Sequence, residues 1–115
     1  MKKINVLKEN RDFKKIIQTK KPYIYKGFIV YKADTDGIYK FGISVSKKLG
    51  NAVKRNKIKR QIREIISKNN YENNFNCIII VRKSYLEQTF LENSNDLNYI
   101  FNKINVKGAH NEKKN

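Results

Sequence analysis

Apolar residues recur along this chain with two spacings, and each spacing predicts one kind of secondary structure. Some stretches carry them every three or four residues, as on one face of a helix, while others alternate them or run them together, as in strands. The predicted elements, in chain order, are a helix over 9–19, a strand over 23–25, a strand ending near 33, a strand over 38–46, a helix over 51–69, a strand over 75–82 and a helix from 89 to about 104. The order α-β-β-β-α-β-α predicts an α+β domain.

Short polar motifs mark the ends of several elements. Asn10 can cap the first helix, and Thr89 with Glu92 can form a capping box at the start of the last helix. Residues 34–37 read Asp-Thr-Asp-Gly, which is typical of a turn because glycine reaches positive φ without strain. We therefore expect the strands on either side of this turn to pair as a hairpin.

The strand, helix and strand over 38–82 predict two parallel neighbours joined by a helical crossover, for which the right-handed connection is the general rule. The strand over 75–82 is continuously apolar, so we expect it to be buried on both faces. Its Cys77 is the only cysteine of the chain, and the setting predicts a buried, unreactive thiol. The apolar stripes expected to face the core are Ile58, Ile62, Ile65 and Ile66 in the middle helix and Phe90, Leu97, Ile100, Phe101 and Ile104 in the last helix.

Length and charge limit the class of protein. The chain has 115 residues, which suits one domain over 1–104 and a polar tail over 105–115 that we expect to be disordered. A formal net charge of +16 indicates a partner that is a nucleic acid or an anionic membrane. Since no apolar run reaches the length of a bilayer span and the N-terminus lacks a signal sequence, we expect a cytoplasmic protein with no membrane-spanning segment, which leaves only an anionic membrane surface open as a membrane partner.

Half of the net charge lies in one stretch. Eight basic residues fall between Lys47 and Arg63, and no acidic residue occurs from Gly37 to Arg63. Three of the five arginines lie there, and arginine binds phosphate with a planar fork that lysine lacks. A charged helix face is often only a solvated surface. Here the like charges repel one another at four-residue spacing, so their concentration indicates a polyanionic partner.

The middle helix also arranges these charges. Its polar residues fall on an arc that adjoins the apolar stripe, so we expect a slot between this helix and the sheet. Cations there could follow the phosphates of single-stranded RNA while aromatic or apolar side chains take the bases. The residues expected on the arc are Arg55, Asn56, Lys59, Arg60 and Arg63. Three alternatives stay open, namely a ribosomal or other structural RNA-binding protein, a DNA-binding module and a protein of anionic membrane surfaces.

A longer motif narrows these alternatives. Residues 46–63 read SKKLGNAVKRNKIKRQIR. They resemble the signature of the bacterial ribonuclease P protein component, S-K-K-x-G-N-A-V-x-R-N-x-x-K-R-x-x-R. The similarity continues through Asp12 and Phe13 and through the segments 28–31 and 78–82. Lys57 stands where the family often has arginine, and it keeps the positive charge.

The resemblance implies a fold and an activity. The implied fold is a two-layer α/β sandwich of the ribosomal protein S5 domain 2-like type, with a left-handed β-α-β crossover in place of the usual right-handed one. The implied activity is that of a subunit of ribonuclease P, in which a catalytic RNA with its Mg²⁺ ions removes the 5′ leader of precursor tRNA. The protein is expected to bind that RNA, one protein per RNA, and to hold the leader, with no small-molecule substrate.

The resemblance also assigns residues. The positions that match the leader-binding cleft are Phe13, Tyr31, Asn56, Lys59, Arg60 and Arg63. The positions that match the surface next to the catalytic RNA are Lys47, Lys48, Lys54, Arg55 and Lys57. Each has a structural alternative: Phe13 can belong to the core, and Arg60 can simply pair with Glu64.

No residue is expected to catalyse hydrolysis. A protein nuclease needs a general base, a general acid or carboxylates that hold a metal. The only histidine is His110, in the predicted tail, and Asp34 and Asp36 flank a turn. The sequence alone does not identify a protein ligand for a metal.

Overall fold

A computed structural model describes residues 5–8 and 11–108. The predicted cap Asn10 and the predicted helix start at Glu9 lie outside these ranges. The helices are α1 (Arg11–Thr19), α2 (Ala52–Ser67) and α3 (Phe90–Ile104), and the strands are β1 (Tyr23–Tyr25), β2 (Phe28–Asp34), β3 (Lys40–Val45) and β4 (Phe75–Val81). Short 3₁₀ turns cover Lys47–Leu49 and Lys83–Glu87. The α+β class predicted from the sequence is confirmed.

The four strands form one sheet in the order β1-β2-β4-β3. β4 runs antiparallel to β2 and parallel to β3, so the prediction of parallel neighbours joined by α2 is confirmed. The left hand of this crossover stays a prediction of the resemblance. The central place of β4 fits its composition, because a continuously apolar strand needs cover on both faces.

The predicted hairpin between β2 and β3 is wrong, because β4 lies between them. The turn that was expected to join the two strands is instead hydrogen-bonded to the residues that lead into β4. Asn74 accepts a hydrogen bond from the Thr35 backbone N–H at 3.1 Å and donates its own N–H to the Gly37 carbonyl at 2.8 Å. The only hairpin in the described sheet joins β1 to β2, through Lys26 in a left-handed conformation (φ 49°) and Gly27.

One face of the sheet is closed by α2 and α3. The four isoleucines of the predicted α2 stripe are all buried there, as are Leu97, Ile100 and Phe101 of α3. Cys77 is also in this core, and burial raises the pKa of its thiol, which confirms the predicted inert setting. Two members of the predicted α3 stripe differ: Ile104 is only half-buried, and Phe90 stays 39% exposed. Phe90 is the first residue of α3, where a side chain reaches the rim of the core rather than its centre.

The other face is covered in part by α1. Phe13 and Ile16 pack with Leu7, Ala33 and Ile78 in a second, smaller core. The Phe13 ring lies directly over β3 at Gly42, where an added Cβ would sit 2.7 Å from a ring carbon. Leu7 is held by the sheet edge, because its N–H donates to the Phe41 carbonyl at 2.8 Å. The position of α1 therefore depends on a glycine below it.

The chain stays packed beyond α3. Val106 is fully buried, its carbonyl accepts the Glu72 N–H at 3.1 Å, and the Gly108 N–H donates to Asn70 at 2.9 Å. The predicted start of a disordered tail at Asn105 is therefore corrected, because a buried apolar residue follows it. Residues 109–115, with His110, lie outside the described ranges. Among the described helices, none combines the length and the apolar character that a bilayer span requires.

Candidate nucleic-acid interface

The basic segment begins with a turn that its own motif residues build. The Ser46 hydroxyl accepts the Lys48 N–H at 3.1 Å, and Gly50 has a φ of 145°, a conformation that favours glycine. Asn51 then caps α2, because its side-chain oxygen accepts the Lys54 N–H at 2.9 Å. Several residues of the signature therefore shape the backbone, and they place the exposed Lys47 and Lys48 on a fixed turn.

Arg55 links this turn to α2. Its Nε donates to the Gly50 carbonyl at 3.1 Å, and the side chain is half-buried. A hydrogen bond through Nε fixes the plane of the guanidinium while the two terminal nitrogens keep their donor hydrogens. The arginine is thus held in one orientation, which lowers the conformational entropy lost when it binds an anion.

The cations of this segment have no carboxylate partners. Among the described residues, the ion pair formed by α2 joins Glu64 to Lys68 at 3.5 Å, and both side chains are substantially exposed. The ion pair between Arg60 and Glu64, which the sequence left open as an alternative, is not formed. Across the described ranges, the eight basic side chains from Lys47 to Arg63 carry no ion pair. Their charge is available to a partner.

One side of α2 turns toward the β3 edge of the sheet. Asn56, Lys59 and Arg63 share this side because they are spaced three and four residues apart. Lys59 and Arg63 line a hollow of about 260 Å³ at the β3 edge. Its remaining lining residues are Val6, Leu7, Lys8, Phe41 and Ile43. Of the five residues that the sequence predicts for the slot, Lys59 and Arg63 line this cationic hollow beside the sheet.

Arg60 lies at the crest of α2, opposite the buried isoleucine stripe. It borders a second hollow of about 360 Å³ with Lys57, Gln61, Glu64 and Phe90, toward the start of α3. The residues expected on one arc therefore border two different hollows. Three steps of 100° place Arg60 only about 60° around the helix from Arg63, so the two arginines are neighbours on the helix surface that line hollows on either side of its crest.

Tyr31 lies on the sheet face that α1 covers only in part. It is half-buried, and the alternation of β2 places it on the side opposite Phe28 and Val30. By strand pairing it shares that side with Ile29, Ile80 and Ser44, all half-buried, and with Ile24, which is 55% exposed. We name these five residues, Ile24, Ile29, Tyr31, Ser44 and Ile80, the open sheet face.

The structure separates Tyr31 from the cationic side of α2. The α2 stripe packs on the closed face, so Tyr31 does not form the floor of the slot at Lys59 and Arg63. The two regions meet at the β3 edge instead. Since only β4 lies between β2 and β3, two strand spacings, about 10 Å, separate Tyr31 from that edge.

Phe13 has a structural role rather than a direct role in binding. It is only 4% exposed and packs against Gly42, so its ring offers little surface for a base. Its contribution to the open sheet face is to hold α1 beside it. The sequence did not single out Ile80 and Ile24 for this face. Because β4 is continuously apolar and β1 has only three residues, strand pairing was needed to place them.

Metal-ligating side chains are not clustered in the part of the chain that the structure describes. Within residues 5–8 and 11–108, no group of three or more His, Cys, Asp or Glu side chains is placed to bind one ion. A magnesium ion prefers oxygen ligands, carboxylates above all, in octahedral geometry. The interface described above is instead built from cations, amides and apolar side chains.

Comparison with known proteins decides the family. The family model for ribonuclease P matches residues 1–105. The chain belongs to the ribonuclease P protein family. It is 40% identical to the ribonuclease P protein component of Mycoplasma mobile over 105 residues, which cover 90% of this chain and 93% of that protein.

Solved ribonuclease P proteins share the fold. The protein from Staphylococcus aureus has a TM-score of 0.80 and 35% identity, over 92% of this chain and all of that one. The protein from Thermotoga maritima has a TM-score of 0.74 and 28% identity, over 84% of this chain and 94% of that one. The resemblance inferred from the motif over 46–63 is confirmed.

Proposed function

We propose that this chain is the protein subunit of ribonuclease P, that it binds the catalytic RNA and that it holds the 5′ leader of precursor tRNA while the RNA removes it. Membership of the ribonuclease P family supports this function over that of a ribosomal protein. The observation that carries the leader-binding part is the open sheet face, an apolar and aromatic surface left half-covered beside uncompensated cations.

The proposed path of the leader follows from that geometry. An unpaired strand lies across the open sheet face, where Tyr31 provides a ring for a base. It then crosses the β3 edge toward Lys59 and Arg63, whose charges lie beside its phosphates. Asn56 can donate and accept hydrogen bonds on the same side of α2. In this arrangement Phe13 holds α1 at one end of the floor, and Arg60 is not part of the path.

The catalytic RNA is assigned the turn before α2 and the first turns of that helix. The residues proposed to contact it are Lys47, Lys48, Lys54, Arg55 and Lys57. Because the described residues hold no group of three or more metal-ligating side chains, we propose that the RNA binds the magnesium ions and carries out the hydrolysis. We propose one protein per RNA, acting in the cytoplasm.

Reconstitution tests this function. The full-length protein is added to a bacterial ribonuclease P RNA at a magnesium concentration too low for the RNA to act efficiently alone, and release of the leader from precursor tRNA is followed. We expect leader removal to increase when the protein is added. A basic protein of similar charge without this fold serves as the control. An equal increase with that control would contradict a specific subunit role.

A further inference from the structure

Phe90 is an aromatic residue that the fold leaves at the surface. The helical pattern places it in the core stripe of α3, yet 39% of it remains exposed. It stands at the mouth of two adjoining hollows between α2 and the start of α3, of about 250 and 360 Å³. Both are lined by Lys57, Gln61 and Phe90, and we name this continuous depression the α2–α3 groove.

The groove combines an apolar floor with a basic rim. Leu86, which is 38% exposed, and the buried Ile58 line it together with the Phe90 ring. The rim carries Lys54, Lys57 and Arg60, which form no ion pair with any described residue. Glu64 is the one carboxylate among the described lining residues, and it pairs with Lys68. The net character of the rim is cationic.

Gln61 adds a directed polar group. Its Oε1 accepts a hydrogen bond at 2.8 Å from the hydroxyl of Tyr85, which is buried. A tyrosine hydroxyl is protonated at neutral pH, and burial raises the pKa of Tyr85 further, to about 12. With its oxygen engaged, Gln61 has an amide nitrogen that makes no hydrogen bond to a described residue. That nitrogen can donate to an acceptor in the groove.

A ring face, an amide donor and flanking cations match the chemistry of an unpaired nucleotide. We propose that the α2–α3 groove takes an unpaired nucleotide of the catalytic RNA, with its base against Phe90 and its backbone beside Lys57 and Arg60. Stacking on an aromatic side chain is the usual way in which proteins take up splayed-out bases of RNA. Charge complementarity favours RNA over an apolar protein segment as the occupant.

The position of the groove indicates whether the nucleotide comes from the leader of precursor tRNA or from the catalytic RNA. The leader is assigned to the open sheet face, which lies across the sheet from α2 and α3. A strand on that face reaches α2 at Lys59 and Arg63, and the groove lies beyond the crest of the helix. The nucleotide therefore belongs to the subunit RNA. This inference rests on the proposed function, since it requires that RNA as a partner.

The absence of tryptophan from the chain allows a direct test. A Phe90→Trp variant carries a single indole in the groove, and a base stacked on it should quench its fluorescence. The matched control is Leu91→Trp, because Leu91 is the next residue, is 69% exposed and does not line the groove. On saturation with the ribonuclease P RNA, we expect the first variant to be quenched and the second to keep its emission.

Affinity provides the second measurement. Phe90→Ala should weaken binding of the full-length protein to that RNA about tenfold, since one base stack is worth roughly 1–3 kcal/mol, while Leu91→Ala should leave it unchanged. Phe90→Tyr keeps a ring and should bind like the parent chain. Circular dichroism and a melting curve confirm that each variant is folded.

Several outcomes would overturn the inference. One is unchanged emission of the Phe90→Trp variant at saturating RNA, together with unchanged affinity of Phe90→Ala. Another is quenching by leader-bearing precursor tRNA alone, which would assign the groove to the substrate. A change with protein concentration in the absence of RNA would indicate a second copy as the occupant. If the parent chain does not bind the RNA at all, the proposed function itself fails.

Discussion

The two faces of the sheet are built from similar apolar residues, but they are covered very differently. On the closed face α2 and α3 bury Ile62, Ile79 and Phe101 completely. On the opposite face α1 covers one end, and Tyr31 and Ile80 remain half-buried. An apolar surface left uncovered lowers the hydrophobic contribution to stability, so such a surface usually marks a binding site. We therefore attribute stability chiefly to the closed face and binding chiefly to the opposite face.

The largest expected effect is on stability, from a substitution on the closed face. Ile62→Ala removes a fully buried side chain while keeping a good helix former, so the free energy of unfolding should fall by about 2–5 kcal/mol. The matched substitution on the open sheet face is Ile24→Ala, which should cost much less because Ile24 is 55% exposed. Denaturant unfolding of both variants measures the difference. Equal losses would remove the contrast between the faces.

The next effect concerns the glycine under α1. In Gly42→Ala the new methyl group would stand 2.7 Å from the Phe13 ring, so the ring and α1 must shift, at a cost of about 1–3 kcal/mol. Ser44→Ala, two residues along β3 on the same face, is the control and should be nearly neutral. Thermal unfolding reports the stability change. A neutral Gly42→Ala variant would mean that α1 adjusts freely and that the boundary of the open sheet face is not fixed.

A smaller effect in free energy should appear in substrate binding. Tyr31→Ala should weaken binding of leader-bearing precursor tRNA to the reconstituted enzyme by about tenfold, the worth of one lost stack, with little change for mature tRNA. Tyr99→Ala is the control, because Tyr99 is likewise a tyrosine at the surface, with 41% exposure, but belongs to α3. Equilibrium binding with both tRNAs tests this. An equal loss for both substrates would refute the leader assignment of the open sheet face.

The smallest effect should distinguish the two sides of α2. The sequence predicts the same leader-specific loss for Arg60→Ala and Arg63→Ala, whereas the structure separates these arginines. We now expect Arg63→Ala to weaken binding of the leader substrate several-fold and to reduce the slope of log affinity against log salt by about one, as the loss of one phosphate contact requires. Arg60→Ala should affect the subunit RNA instead. A salt titration with each RNA measures both slopes, and identical slopes would contradict the separation.

Local patterns in the sequence were sufficient for much of the fold. The isoleucine stripe of α2 follows from helical spacing, and the Thr89–Glu92 capping box forms as predicted, with hydrogen bonds of 2.9 and 3.1 Å. Both features depend on residues within one or two turns of each other. The family signature over 46–63 was long enough to identify the family before any coordinates were considered.

Features that depend on distant residues could not be predicted in this way. The turn at 34–37 was correctly placed, but which strand pairs with β2 is decided by β4, some forty residues later. Val106 follows a polar residue without any periodicity, so its burial had no local signal. The same holds for the candidate site. The sequence placed Tyr31, Arg60 and Arg63 around one slot, whereas the structure places Tyr31 on the other face of the sheet and has the two arginines bordering different hollows.

The insertion of β4 between β2 and β3 also affects how the chain folds during its synthesis on the ribosome. As the nascent chain emerges, the β1–β2 hairpin can close early, but β3 lacks its strand partner β4 until residues 75–81 have been synthesised. Before then, the bridge between Val6 and Phe41 is its pairing with the earlier chain. The cationic helix precedes that strand, so it is made before the surface on which it docks. Pairing over such sequence separations delays folding until late in translation. The RNA-binding surface is therefore completed only when the fold itself is completed, and a chain truncated before β4 would present its basic segment on an unfolded polypeptide.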